Sequence, residues 1–139
     1  MFQQSVLKSA AAAALAFAAS AASAAALPPL SENAFINNSL LAAAIGDEIR
    51  KNCPTISARI FRALIKAKEL ESHALKLGYS AGEIEAFIDS DAEQQRMKGL
   101  RDAYLAEQGV TKGDSDSYCR LGYEEIEKNS LTGWLLRAN

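Results

Sequence analysis

KNCPTIS at residues 51–57 contains one of the chain's two cysteines, and SYCRLGY at residues 117–123 contains the other, 66 positions away. Pro54 disfavours the helical conformation for the residue before it, so Cys53 should lie at a corner of the chain. We predict that Cys53 and Cys119 form one disulfide, tying that corner to the start of the last long helix. The spacing excludes a CxxC redox motif, and a single histidine is too few for a Cys/His zinc site.

Residues 1–26 are typical of a secretory signal peptide. A basic amino-terminal stretch precedes the apolar run Ala10–Ala22, and small-residue cleavage patterns follow it. We predict cleavage between Ala26 and Leu27, with cleavage after Ala24 as the alternative. An Ala-rich transmembrane or buried helix is the competing interpretation, but the run has 13 residues and a bilayer span needs about 20.

The mature chain, Leu27–Asn139, is short enough to form a single domain and long enough to bury a core. Removal of Lys8 leaves 14 basic and 17 acidic side chains, a net charge of −3. This balance lacks the basic footprint of a nucleic-acid-binding protein, so no nucleic-acid partner is expected. No second apolar run is long enough for stable membrane insertion after signal cleavage. We expect the protein in the periplasm or outside the cell, where two cysteines pair readily.

Every patterned segment of the mature chain favours helix. The fold class predicted is therefore all-α, a small bundle of four to six helices tied by one disulfide, with no sheet. The first helix should span Ser31–Asn52, with Ser31 as its N-cap. The second should span Thr55–Leu77, capped by Thr55 and ended by Gly78.

The second helix has the clearest amphipathic pattern. Its apolar stripe consists of Ile56, Ile60, Ala63, Leu64, Ala67, Leu70, Ala74 and Leu77. The opposite stripe consists of Arg59, Arg62, Lys66, Glu69, His73 and Lys76. A surface helix normally turns its apolar stripe towards the core. The pattern therefore predicts that Leu64 is buried and that Lys66 lies in solvent.

Three further helical segments follow. Ser80 and Glu83 form a capping box that starts a short helix ending near Asp89. The apolar phase then slips at residues 90–93, which favours a separate helix over 91–108, although a single bent helix over 81–108 stays the alternative. A fifth helix should span Asp116–Asn129, and Ser130 should cap a last short turn.

The mature half resembles a family of uncharacterised secreted bacterial proteins known as a domain of unknown function. The resemblance covers about Leu30–Leu136. It depends on Cys53-Pro54, Gly78-Tyr79-Ser80, Tyr118-Cys119-Arg120-Leu121-Gly122 and the tail Glu125–Leu136 with its Ser130, Gly133 and Leu135-Leu136. The family has no assigned activity, so the resemblance implies export and a helical, disulfide-linked domain without assigning catalytic residues.

The residues that could support catalysis or metal binding have simpler interpretations. His73, the only histidine, lies on the polar stripe and is expected at the surface. Carboxylates at 89, 91 and 93 are spaced like the start of a calcium loop, but Gln94 replaces its invariant glycine and Leu100 its bidentate glutamate. The acids at 124, 125 and 127 could pair for acid–base chemistry but are expected to face water. We predict no catalytic residues, no metal site and no cofactor.

Four residues are candidate partner contacts. Arg59, Arg62 and Lys66 form a short basic stripe that could bind an anionic partner, although a solvated helix face is the simpler interpretation. Trp134 begins a Trp-Leu-Leu sequence that could form an exposed apolar patch, or could pack near the disulfide. We predict an exported protein with a binding or structural role in the cell envelope, its protein or envelope partner unidentified. The alternatives are a periplasmic stress chaperone of the holdase type and an enzyme with a site inside the helical bundle.

Overall fold

The computed structural model describes residues 26–139, and the signal-peptide prediction for the preceding residues lies outside this range. A 3-10 turn at Leu30–Glu32 opens the domain. The elements that follow are α1 at Ala34–Asn52, β1 at Ile56–Ala58, α2 at Ile60–Lys76, α3 at Ala81–Asp89, α4 at Asp91–Glu107, α5 at Ser115–Lys128, α6 at Leu131–Trp134 and β2 at Leu136–Ala138. The prediction of a helical domain with one disulfide is confirmed.

The disulfide joins Cys53 and Cys119, whose Cα atoms lie 5.1 Å apart, within the usual range for a bridge. It holds α5 beside the corner between α1 and β1. The larger core surrounds it and consists of Ile45, Ile49, Cys53, Ile56, Leu105, Tyr118, Leu121 and Leu136. At Gly122 a Cβ atom would lie 2.8 Å from Ile49 Cγ2 and 2.3 Å from Ile56 Cδ1, so α5 approaches this corner closely only because position 122 has no side chain.

A two-stranded sheet corrects the prediction that no sheet forms. β1 pairs antiparallel with β2, with Ile56 opposite Ala138. The predicted start of the second helix at Thr55 is also wrong, because the Thr55 hydroxyl hydrogen-bonds the Tyr123 hydroxyl at 2.6 Å instead of capping a helix. The carboxyl-terminal segment supplies the competing backbone partners. Its Leu135 carbonyl accepts from the Arg59 N–H at 2.8 Å, and α2 begins only after that bond.

The helix ends follow local side-chain chemistry. The Asn33 side chain, rather than the predicted Ser31, caps α1 by accepting from the Ile36 N–H at 3.0 Å. Gly78 ends α2 with a φ of 104°, as predicted. The reciprocal capping box of Ser80 and Glu83 is present, with bonds of 3.1 and 2.7 Å. Ser90 then caps α4, so the segment forms two helices and the bent-helix alternative is excluded.

The orientation of α2 is the main correction to the sequence analysis. The Leu64 residue is 59% exposed, whereas the Lys66 side chain is only 16% exposed. The Lys66 ammonium lies 5.7 Å from the centre of the Phe35 ring and 5.8 Å from that of Trp134. Long cationic side chains pack their stems and charges against aromatic rings. The middle of the face predicted to be solvated, at Arg62 and Lys66, therefore contacts the domain, while Ala74 of the predicted apolar stripe is buried as expected.

Candidate functional site

An open groove of about 670 Å³ lies between α1, α2 and α3. The smaller core forms its floor and consists of Leu30, Ile36, Ala74 and Tyr79, with Leu40, Leu70, Ile84 and Phe87 packed against it. Ala43 of α1 and Ala63 and Ala67 of α2 line it as well, and these small side chains leave the space between the helices unfilled. We call this feature the α1–α2–α3 groove. Its volume lies within the range of small-molecule and peptide sites, about 300–1,000 Å³.

Local sequence explains why the groove is open. Gly78 ends α2, and the Ser80–Glu83 capping box starts α3 only two residues later. The Tyr79 side chain between them is buried, and its hydroxyl donates to the Pro28 carbonyl. This anchored turn connects α2 to α3, and both helices line the groove together with α1.

One edge of the groove continues into an exposed apolar ridge on α2. Ile60, Phe61, Leu64 and Ile65 make up this α2 ridge, and their exposed fractions lie between 59 and 83%. Leu64 belongs to both features, because it also lines the groove. Ile88 is similarly exposed on the α3 wall. Contiguous apolar surface of this kind is typical of interaction sites, whereas isolated exposed leucines are ordinary.

Charged side chains occupy the rim of the groove. Lys68 on α2 pairs with Glu71 at 2.7 Å, and Lys66 pairs with Glu69 at 2.6 Å. Glu85 and Asp89 line the α3 side. A mostly apolar lining with a few charges at its edge suits a ligand that is itself mainly apolar.

The four candidate partner contacts lie together, but their partners belong to the same chain. Arg59 Nε donates to the Leu136 carbonyl at 2.9 Å. Arg62 donates to the Trp134 carbonyl at 3.0 Å and lies 5.0 Å from the centre of its ring. Of the four, only Lys66 also lines the groove. Of the two alternatives for residues 134–136, the exposed apolar patch is wrong, since Leu135 and Leu136 are buried and Trp134 is half-buried.

The residues considered for catalysis or metal binding are dispersed. His73 is half-buried and packs against the Phe35 ring, with ring centres 4.7 Å apart. Glu93 pairs with Arg96 at 2.8 Å in the first turns of α4. Among the residues that the structure describes, no three His, Cys, Asp or Glu side chains are grouped to hold a metal ion.

Glu125 is a buried carboxylate that the sequence analysis placed in water. It is only 3% exposed. The Tyr104 hydroxyl donates to its Oε1 atom at 2.6 Å, and the Ser130 hydroxyl donates to Oε2. Burial and the bond to Glu125 raise the pKa of Tyr104 to about 12. Glu125 follows Leu121 by one helical turn, and that spacing could have indicated its inward position. The network joins α4, α5 and the start of α6.

A second, polar recess of about 560 Å³ lies where α1, α4 and α5 meet. Arg101 lies within it and is already paired, with Glu48 at 3.2 Å and with Asp102 at 2.8 Å. Burial, followed by the charges of Glu48 and Asp102, raises the pKa of the nearby Tyr118 hydroxyl. These pairs satisfy the central guanidinium, so the α1–α2–α3 groove is the better candidate for binding.

The fold and the groove define a small all-α domain, closed by one disulfide, with an open apolar groove. Residues 28–137 match a family of unknown function, DUF5333, and the chain belongs to that family. The resemblance to a family without an assigned activity is thereby confirmed. No curated protein and no solved structure matches the chain. Across residues 26–139, no helix has the length and apolarity needed to cross a membrane.

Proposed function

We propose that the protein is exported and acts without catalysis in the cell envelope, binding an apolar partner across the α2 ridge and the α1–α2–α3 groove. One observation carries this proposal. Four large apolar side chains of α2 stay in water, next to a groove whose floor and walls are also apolar. Two of them, Ile60 and Leu64, belong to the apolar stripe that the sequence pattern assigns to the core, yet both are mostly exposed.

The energetic cost of this arrangement supports a role for the exposed face. Fully burying one Leu, Ile or Phe side chain is worth about 1.5–3 kcal/mol. The fold forgoes much of that gain for four residues and instead packs Arg62 and Lys66 against Trp134. A partner that covers the ridge and the groove recovers the lost burial, which makes binding favourable without further polar contacts.

The absence of catalysis is supported by what the ionisable residues contact. His73 packs against Phe35, and both oxygens of Glu125 accept hydrogen bonds from hydroxyl groups of the same chain. A general acid or base needs access to a bound substrate, and neither His73 nor Glu125 lines the groove. Of the charged residues that do line it, Lys66 and Lys68 form ion pairs with Glu69 and Glu71. Export is supported by the disulfide, because such bonds persist mainly in oxidising compartments.

A fluorescence titration with the apolar dye 1-anilinonaphthalene-8-sulfonate tests the proposal. Wild type should bind the dye, and Ala67→Gln should weaken binding about tenfold or more because it places a polar side chain in the groove. Ala103→Gln is the matched control, since Ala103 is an exposed alanine inside α4 that does not line the groove. Equal binding by both variants, at equal melting temperatures, would contradict the proposed site.

A stress-chaperone role of the holdase type is the second candidate, and the same exposed ridge favours it. A holdase should slow the aggregation of a denatured client when the two proteins are present in near-stoichiometric amounts. A holdase that responds to acid stress should do so more strongly at acid pH. Phe61→Asp should remove that effect, because Phe61 is the most exposed member of the ridge. If client aggregation is unaffected by wild type at both pH values, the holdase role is excluded and the binding role is retained.

A further inference from the structure

The α2 ridge and the α1–α2–α3 groove lie side by side on one face of the molecule and share Leu64. One feature projects and the other is recessed, and both are apolar. A two-fold symmetric interface uses the same patch on both subunits, so each projection must fit a recess on the partner. This face has that self-complementary form.

We propose that the partner is a second copy of this chain, with the α2 ridge of each copy seated in the α1–α2–α3 groove of the other. This inference rests on the proposed function, because it identifies the occupant of the same surface. The groove is lined mainly by residues of α1, α2 and α3. Three helices around an open channel leave room for a fourth, and a helix with side chains is about 10–12 Å across.

The area involved is close to that of a stable dimer. Phe61 presents on the order of 150 Å² of apolar surface, and the three aliphatic ridge residues present roughly 60–100 Å² each. The ridge therefore offers about 400 Å². Because the contact is reciprocal, each copy buries its ridge and its groove together. The groove lining adds less area than the ridge, and Leu64 belongs to both, so each copy buries roughly 600 Å², at the lower end of the range for one side of a specific protein interface.

The charges at the rim are compatible with this pairing. Lys68 lies on the α2 side of the groove, and Glu85 and Asp89 lie on the α3 side. When the ridge of one copy enters the other's groove, its α2 comes to lie along the partner's α3. This brings lysine of one copy near carboxylates of the other. Complementary charges of this kind set the register of an interface and disfavour wrong pairings.

Sedimentation velocity of the disulfide-bonded, exported protein tests the proposal over about 1 μM to 1 mM. Wild type should shift from monomer to dimer as its concentration rises. Phe61→Asp should raise the dimer dissociation constant at least about tenfold, since an exposed aromatic at the centre of an interface usually contributes most. Phe61 lies in the first turn of α2, where an aspartate suits the helix dipole, so this variant should fold.

Leu100→Asp is the matched control, because Leu100 is an exposed apolar residue of α4 that lies outside both features. It should leave the dimer dissociation constant unchanged. A wild type that stays monomeric at every concentration would overturn the dimer. If that monomer still loses dye binding on Ala67→Gln, the proposed function stands with a different occupant. A dimer that survives Phe61→Asp unchanged would place the contact elsewhere and overturn this interface.

Discussion

The effect of removing the Cys53–Cys119 disulfide on the free energy of unfolding can be calculated from the length of the loop that it closes. Cys119→Ser opens a loop of 66 residues, and the chain-entropy relation gives about 4 kcal/mol of lost stability for a loop of this size. Cys53 is fully buried, while Cys119 is half-buried. We therefore place the substitution at position 119, where burying the new serine hydroxyl costs little free energy beyond the loss of the disulfide. A loss of this size is a large fraction of the typical 5–15 kcal/mol for a whole domain.

Urea unfolding followed by circular dichroism measures the effect. Cys119→Ser should lose about 2–5 kcal/mol of unfolding free energy, and reduced wild type should lose nearly the same amount. Reductant should leave the variant unchanged, which serves as the control for non-specific effects. A loss below about 1 kcal/mol in both samples would refute the reasoning, because packing alone would then hold α5 against the corner at Pro54.

Three further predictions concern packing, pH and processing. Gly122→Ala should destabilise by up to about 2 kcal/mol, since the new methyl overlaps Ile49 and Ile56 at a cost of about 1–3 kcal/mol, offset by about 1 kcal/mol of helix propensity. Gly99→Ala in α4 has open space at this position and should stabilise by about 0.5–1 kcal/mol; the reverse order in urea melts would contradict this packing. Because the pKa of Tyr104 is raised from 10 to about 12, its contribution to stability should be complete below pH 10 and lost as the pH rises towards 12. Tyr104→Phe should flatten that decline in alkaline urea melts, and an unchanged slope would exclude the coupling. The intact mass of the exported protein should correspond to a start at Leu27, or at Ala25 for the alternative cleavage, and a retained Met1 would exclude the signal peptide.

The helix boundaries were predictable where one local bond decides them. Ser80 with Glu83, Ser90, Ser130 and Gly78 each act within a few residues of themselves, so their roles can be read without the rest of the fold. The same is true of the corner at Pro54. The disulfide pairing could also be predicted from the sequence, because the chain has only two cysteines.

The orientation of α2 could not be predicted from its own pattern. Hydrophobic periodicity identifies two stripes but does not identify which stripe faces the domain. That choice depends on Phe35 and Trp134, which lie far from α2 in sequence and offer ring faces to Lys66 and Arg62. The sequence did not predict the groove for the same reason. Its α2 wall consists of side chains that are uncovered only because Lys66 and Arg62 face the domain.

The short sheet was also outside the reach of a local analysis. β1 is three residues long, and its partner β2 lies about 80 positions further on, paired through Ser57 and Arg137. A strand this short shows no alternation that a sequence window can detect. For Glu125, the helical spacing from Leu121 could have indicated its inward position, but its hydrogen-bond partner Tyr104 comes from another helix and could not be predicted locally.

The central claim is that the folded domain leaves Leu64 and the rest of the α2 ridge in water, although Leu70 and Ala74 of the same predicted apolar stripe pack in the smaller core. Unfolding of Leu64→Asp and Leu70→Asp in urea, at the same low protein concentration, tests it most directly. Both are leucines of α2, but Leu64 is mostly exposed whereas Leu70 packs against the smaller core. Leu64→Asp should stay within about 0.5–1 kcal/mol of wild type, and Leu70→Asp should lose at least about 2 kcal/mol. If Leu64→Asp loses as much as Leu70→Asp, Leu64 is buried in the fold and the proposed binding face does not exist.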